Sequence, residues 1–243
     1  SCSSKDVVQQ LSAEDHFIKG KALYEDENYF EAVEEFKTIG LQFSGSQFAD
    51  DAQLYLGDCY FMRGEFLLAE YEYESLVKRM ASSPFVPLAQ YKLALCYYRL
   101  SPKSLLDQKY TLKAIDAFQT FLEYNPIHDS VASASQKIKY LNSQLAKKDF
   151  DTAELYMTLE EYQSAQHYYE KVLERFHDSE YADQAQIGLI ESFVARKKYE
   201  KANSALDEFY KKYPSSEKRD QADKLQREIK EGIKESTSEN QEK

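Results

Sequence analysis

Few residues of this chain have the type and spacing that chemistry requires. The four histidines, His16, His128, His167 and His177, stand far apart, and no Cys-x-x-Cys or His-Glu-x-x-His pair accompanies them. A metal site is therefore not expected. No glycine-rich phosphate loop occurs, so no nucleotide cofactor is expected either. The carboxylate pairs Glu34-Glu35 and Glu160-Glu161 are adjacent in sequence. On a helix adjacent side chains diverge by about 100°, which suits solvated surface better than an opposed acid and base. The expectation is a protein that is not an enzyme, with no catalytic residue, cofactor or metal.

The three cysteines divide into two kinds. Cys59 and Cys96 occupy the same place in two successive repeating segments described below. Equivalent positions of stacked helices lie roughly 10 Å apart, beyond the reach of a disulfide. Both read as small buried hydrophobes. Cys2 stands in Ser1-Cys2-Ser3-Ser4, ahead of a short polar stretch. A start of this kind looks like a bacterial lipoprotein after signal-peptide cleavage, with Cys2 as the lipidated residue. Several acyl chains there would anchor the chain to a membrane, at about 0.8 kcal/mol per buried CH₂.

The elements that must position any site come from a pattern recurring about every 34 residues, the period of the tetratricopeptide helix–turn–helix repeat. It runs through Phe17, Gly20, Ala32 and Phe36, then through Leu56, Gly57, Ala69 and Tyr73. It continues with Leu93, Ala94, Ala114 and Phe118, with Ala153, Ala165 and Tyr169, and with Leu189, Ala202 and Leu206. Small residues mark where helices touch, and large apolar ones fill the space between. Gly20 and Gly57 lie inside helices, where glycine costs about 1 kcal/mol relative to alanine, so close packing is their expected reason. One such helix pair cannot bury its apolar face alone, so neighbours stack.

The fold class expected is all-α: a tetratricopeptide-repeat solenoid of about five repeats in a three-plus-two arrangement. Residues 1–12 read as a flexible lipoprotein leader and 13–128 as repeats 1–3. The third repeat carries an insertion of about eight residues around 101–109, and such insertions map to loops on one face. Residues 129–157 read as a long linking helix that also opens repeat 4. Residues 158–235 hold repeats 4 and 5 and a capping helix, and 236–243 read as a disordered tail.

In arrays of this class the first helix of each pair forms the inner wall. The inward set includes Phe17, Lys21 and Tyr24 in repeat 1, Leu54, Asp58 and Phe61 in repeat 2, and Tyr91, Leu95 and Tyr98 in repeat 3. This wall is aromatic and aliphatic, with Lys21 and Arg99 as its cations. It suits an extended peptide with bulky side chains better than an acidic tail, and the alternative is that several of the rings only fill space between helices.

The net charge of -11 runs against binding nucleic acid, where affinity rests on Lys and Arg neutralising phosphates. No apolar run approaches the length of a membrane-spanning helix. Tyr and Phe make up the whole 14% aromatic content, and most of these rings are expected between helices.

One family matches these features together. Ala89-Gln90-Tyr91-Lys92-Leu93-Ala94-Leu95-Cys96-Tyr97-Tyr98, Leu106-Asp107-Gln108-Lys109-Tyr110-Thr111, Ala114-Ile115-Asp116-Ala117-Phe118-Gln119 and Phe48-Ala49-Asp50-Asp51-Ala52 are similar to the BamD (ComL/YfiO) family of outer-membrane β-barrel assembly lipoproteins. The resemblance covers about residues 10–235. It implies a scaffold on the periplasmic face of the outer membrane, held there through a lipid on Cys2. It further implies that the C-terminal repeats dock the periplasmic (POTRA) region of a BamA-type insertase. The N-terminal repeats are implied to receive targeting segments of unfolded outer-membrane proteins, and other assembly lipoproteins are implied partners. A Tol–Pal-type or other periplasmic tetratricopeptide scaffold is the competing expectation. The dipeptide Glu191-Ser192 is similar to the catalytic glutamate motif of helical lytic transglycosylases, but no muramidase core surrounds it.

Overall fold

The computed structural model describes residues 10–103 and 106–241, with side chains as far as 237. The described residues form eleven helices and no strand. They are α1 (Ala13–Glu25), α2 (Tyr29–Gln42), α3 (Ala49–Met62), α4 (Phe66–Arg79), α5 (Val86–Leu100), α6 (Lys109–Tyr124), α7 (Val131–Thr158), α8 (Tyr162–Arg175), α9 (Ala182–Ala195), α10 (Tyr199–Lys212) and α11 (Arg219–Gln241). The chain falls into two compact units, Ser1–Pro102 with Gln108–Ile138 and Lys103–Asp107 with Lys139–Lys243. In the first, α1 to α6 pack as three consecutive pairs. In the second, the C-terminal part of α7 pairs with α8, α9 with α10, and α11 packs on α9 and α10. This is the expected tetratricopeptide-repeat class.

Local chemistry starts and stops these helices. Ser12 and Asp15 form a capping box that opens α1. Four helix pairs are closed by the same turn. Its left-handed residue is Glu27, Gly64, Glu160 or Lys197. The residue after it donates its N–H five positions back: Asn28 to Leu23, Glu65 to Tyr60, Glu161 to Tyr156 and Lys198 to Phe193. That is the Schellman closure, which satisfies carbonyls a helix end leaves open. The α5–α6 connection replaces this turn with the insertion. There Ser101, Gln108 and Thr111 join through side-chain hydrogen bonds of 2.6 Å.

Packing follows the repeat register. Ala32, Ala69, Ala114, Ala165 and Ala202, the small residue of each second helix, are all fully buried. Phe36, Tyr73, Phe118, Tyr169 and Leu206 lie one turn further along and are equally enclosed. Gly20 and Gly57 face Phe36 and Tyr73 as the close-packing expectation requires, and Gly188 faces Tyr169 in the second unit.

The division between the units falls inside α7, after Ile138. The expected disordered tail is helical as far as Gln241. Ala222, Leu225 and Ile229 bury α11 on the stack, and the helix then propagates through a stretch free of proline. Of the expected flexible leader, residues 1–9, with Cys2 among them, lie outside the described residues.

Candidate functional site

The first helices of the opening unit, α1, α3 and α5, carry all nine residues of the expected wall, in three different environments. Lys21 is exposed and lies 3.9 Å from Glu25. Phe17, Tyr24, Phe61, Tyr91, Leu95 and Tyr98 are half-buried. Leu54 and Asp58 are buried, so neither offers a free side chain to a ligand.

The half-buried rings serve two masters. Phe17 stacks on Phe48 at 5.2 Å and meets Phe36 and Tyr55, filling the seam between the first and second pairs. Tyr24 meets Tyr29 and Tyr55 edge-on. Burial, and after it the charge of Asp58, pushes its phenol up to about 12. Phe61 packs edge-on against Phe66 at 5.2 Å, with the Arg99 guanidinium 5.7 Å from its ring. The Tyr91 ring lies against Phe118 and Phe121, while its hydroxyl bonds Ser133 at 2.8 Å. Tyr98 meets Phe118 and lies under the Lys137 ammonium. Each ring is fixed on its inner side by packing and keeps part of its surface open, the condition for a rigid aromatic contact.

Asp58 organises the polar interior of this unit. It accepts from the Tyr73 hydroxyl of α4 and from Lys92 Nζ of α5 at 2.7 Å. One carboxylate thus ties three helices of two repeats. Burial and this carboxylate hold the Tyr73 phenol far above its ordinary value. Burial also raises the Cys59 and Cys96 thiols to about 12, so both are protonated and inert at neutral pH, as expected for buried hydrophobes.

The second unit repeats the arrangement with other partners. The Tyr169 hydroxyl donates to Glu154, fifteen positions back, as Tyr73 does to Asp58. Glu191, on the neighbouring α9, accepts from Gln221 Nε2 at 2.7 Å. Burial pushes its carboxyl up, Gln221 opposes that, and Glu154 and Glu228 add repulsion. A carboxyl raised in the folded state contributes stability below its unfolded pKa and loses it as pH rises through the folded value. At neutral pH the ionised Glu191 therefore costs stability. Glu191→Gln keeps an acceptor for Gln221 and is expected to raise Tm at pH 7 by roughly 2–4 °C. The gain should shrink toward pH 4. Thermal melts at both pH values check this, and an unchanged or lower Tm at pH 7 would refute it.

A second apolar feature escaped the sequence reading. With Ala32, Ala69 and Ala114 aligned, Phe30, Leu67 and Leu112 share one repeat position and are 67%, 56% and 50% exposed. Leu68 and Tyr71 extend the row on α4. The matching positions of the second unit are Gln163 and Glu200. The signal lies in the repeat register, two positions before the packing alanine of each second helix, and not on the first helices that form the inner wall.

Comparison with known proteins adds to this picture. The model of the family described as "YfiO: Outer membrane lipoprotein" matches residues 9–178 and 158–226. "Outer membrane protein assembly factor BamD" of Caulobacter vibrioides is 23% identical over 167 residues, which is 69% of this chain and 55% of that protein. The chain thus spans about half the length of that curated relative. Among solved structures, the TPR2AB domain–pHSP90 complex of yeast Sti1 aligns with 90% of this chain and 98% of its own, at 15% identity and a TM-score of 0.46. A thermophilic TPR protein of Thermus thermophilus aligns with 91% of this chain and 99% of its own, at 16% identity and a TM-score of 0.38.

Proposed function

Because the chain belongs to the YfiO family of outer membrane lipoproteins, we propose that it is a non-enzymatic scaffold of outer-membrane β-barrel assembly. The family match over most of the chain is the observation that carries this reading. In it, a lipid on Cys2 holds the protein at the periplasmic face of the outer membrane. The second unit docks the periplasmic domain of a BamA-type insertase. The first unit receives targeting segments of unfolded outer-membrane proteins, and other assembly lipoproteins join the same complex.

The half-buried rings of α1, α3 and α5 support the client role. A targeting segment that ends in an aromatic residue would find fixed rings at Phe61, Tyr91 and Tyr98 and a cation at Arg99 for its carboxylate. Leu54 and Asp58 enter this reading as supports of the wall, because both are buried. No group of three or more His, Cys, Asp or Glu among the described residues could hold a metal.

Calorimetry tests both arms. The chain is expected to bind the purified insertase domain saturably. It is also expected to bind a synthetic C-terminal β-barrel peptide, with the Phe61→Ser/Tyr98→Ser variant about tenfold weaker for the peptide and unchanged for the insertase. Unchanged peptide affinity in a folded variant would overturn the client surface. Absence of insertase binding by a folded chain would favour a Tol–Pal-type or other periplasmic scaffold.

A further inference from the structure

We propose that the cleft between α8, α9 and α10 is a docking site for a basic amphipathic segment of a partner protein. The cleft has a volume of about 500 Å³ and lies wholly within the second unit. Its floor is apolar: Leu173 from α8, Leu189 and Phe193 from α9, and Ala205 from α10. The polar group in that floor is already satisfied, since Gln186 Nε2 donates to the Ala205 carbonyl at 2.8 Å. An apolar anchor can therefore settle there without stranding a hydrogen bond.

The rim selects the charge of the occupant. Glu170 and Glu174 stand one helical turn apart on α8, and Glu200 and Glu208 face them from α10. Of the two lysines, Lys212 is held by Glu208 at 2.9 Å, and Lys201 lies 5.9 Å from the centre of the Phe193 ring. Glu170, Glu174 and Glu200 have no ion-pair partner among the described residues. Like charges at i and i+4 destabilise a helix, and a cation between them removes that cost. An acidic occupant is repelled, and a purely apolar one would strip water from three carboxylates without replacing it. A segment with one bulky apolar side chain flanked by Lys or Arg satisfies floor and rim together, the mode in which an amphipathic helix enters a groove.

This acidity is not a property of the repeat itself. With the packing alanines aligned, the places of Glu170, Glu174, Glu200 and Glu208 are held by Lys37, Leu41, Leu67 and Ser75 between the first and second pairs. They are held by Glu74, Lys78, Leu112 and Thr120 between the second and third, and by Gln119, Glu123, Gln163 and Lys171 between the third and fourth, so single acids recur but the set of four does not. The acidic rim and the apolar floor coincide at this pair.

The test is fluorescence anisotropy with a labelled amphipathic peptide of about 14 residues built from Leu and Lys, and a control peptide carrying Glu for Lys. Against the Lys peptide, Glu170→Gln/Glu174→Gln/Glu200→Gln is expected to raise Kd about tenfold, the combined effect of three exposed pairs. Glu25→Gln/Glu31→Gln/Glu34→Gln makes the same change of net charge on the first unit and should alter Kd less than twofold. Equal weakening by both variants would mean attraction to the net charge alone and would overturn the site. So would failure of the Lys peptide to bind, or equal binding of the Glu peptide. The probe carries no insertase sequence, so its result is independent of the calorimetric test above.

Discussion

Asp58→Ala is expected to destabilise the first unit by about 2–4 kcal/mol, measured by urea denaturation followed by circular dichroism. The reason is what the substitution leaves behind. Tyr73 is 1% exposed, and its buried hydroxyl would lose the carboxylate that accepts from it. Lys92 Nζ would lose its counter-ion while its side chain is only 26% exposed. That partial exposure keeps the expected loss below the top of the range for buried pairs. Asp58→Asn retains an acceptor of the same shape and should cost about half as much. Adding Lys92→Met to Asp58→Ala removes the stranded charge and should restore part of the loss, a coupling that a double-mutant cycle reads directly. A single alanine variant within 0.5 kcal/mol of the parent would show that α3, α4 and α5 are held by apolar packing alone.

The architecture could be read from the sequence because the repeat imposes its own spacing. Ala32, Ala69, Ala114, Ala165 and Ala202 are interhelix contacts wherever they occur, so their recurrence fixed pair number and order. The long α7 could be read because neither glycine nor proline interrupts 131–158. Site residues were harder, since a helix period does not separate a ring facing solvent from one facing the next helix. Leu54 and Asp58 were assigned inward by the same count that placed Phe61, yet both are buried beneath the neighbouring helices. The pairing of Asp58 leaves no local mark in the sequence, because its partners Tyr73 and Lys92 stand fifteen and thirty-four positions away. The left-handed turn residues were equally hidden. Only Gly64 announces itself, while Glu27, Glu160 and Lys197 take the same conformation under the demand of the helix closure.

The helical glycines give the second large effect, one in which structure and propensity predict opposite signs. Propensity alone says that alanine in place of a helical glycine stabilises by about 1 kcal/mol. At Gly57, however, an added Cβ would come within 2.5 Å of Tyr73, and at Gly188 within 2.3 Å of Tyr169. Neither ring can swing aside cheaply. Tyr73 is tied to Asp58 and Tyr169 to Glu154, and both rings are enclosed on every side. Overpacking of this kind costs about 1–3 kcal/mol, enough to exceed the propensity gain. Gly57→Ala and Gly188→Ala are therefore expected to lower stability. Gly40, on the exposed face of α2, has nothing within 4 Å of an added Cβ. Gly40→Ala should raise stability by up to about 1 kcal/mol. Three melts decide the matter, and a gain at all three sites would mean that the seams at Tyr73 and Tyr169 are loose enough to yield. A loss at Gly57 and Gly188 with a gain at Gly40 would show that glycine at these seams is selected by helix approach. That approach sets how α3 lies against α4, and so where Phe61 stands beside Arg99 on the surface proposed to receive the client.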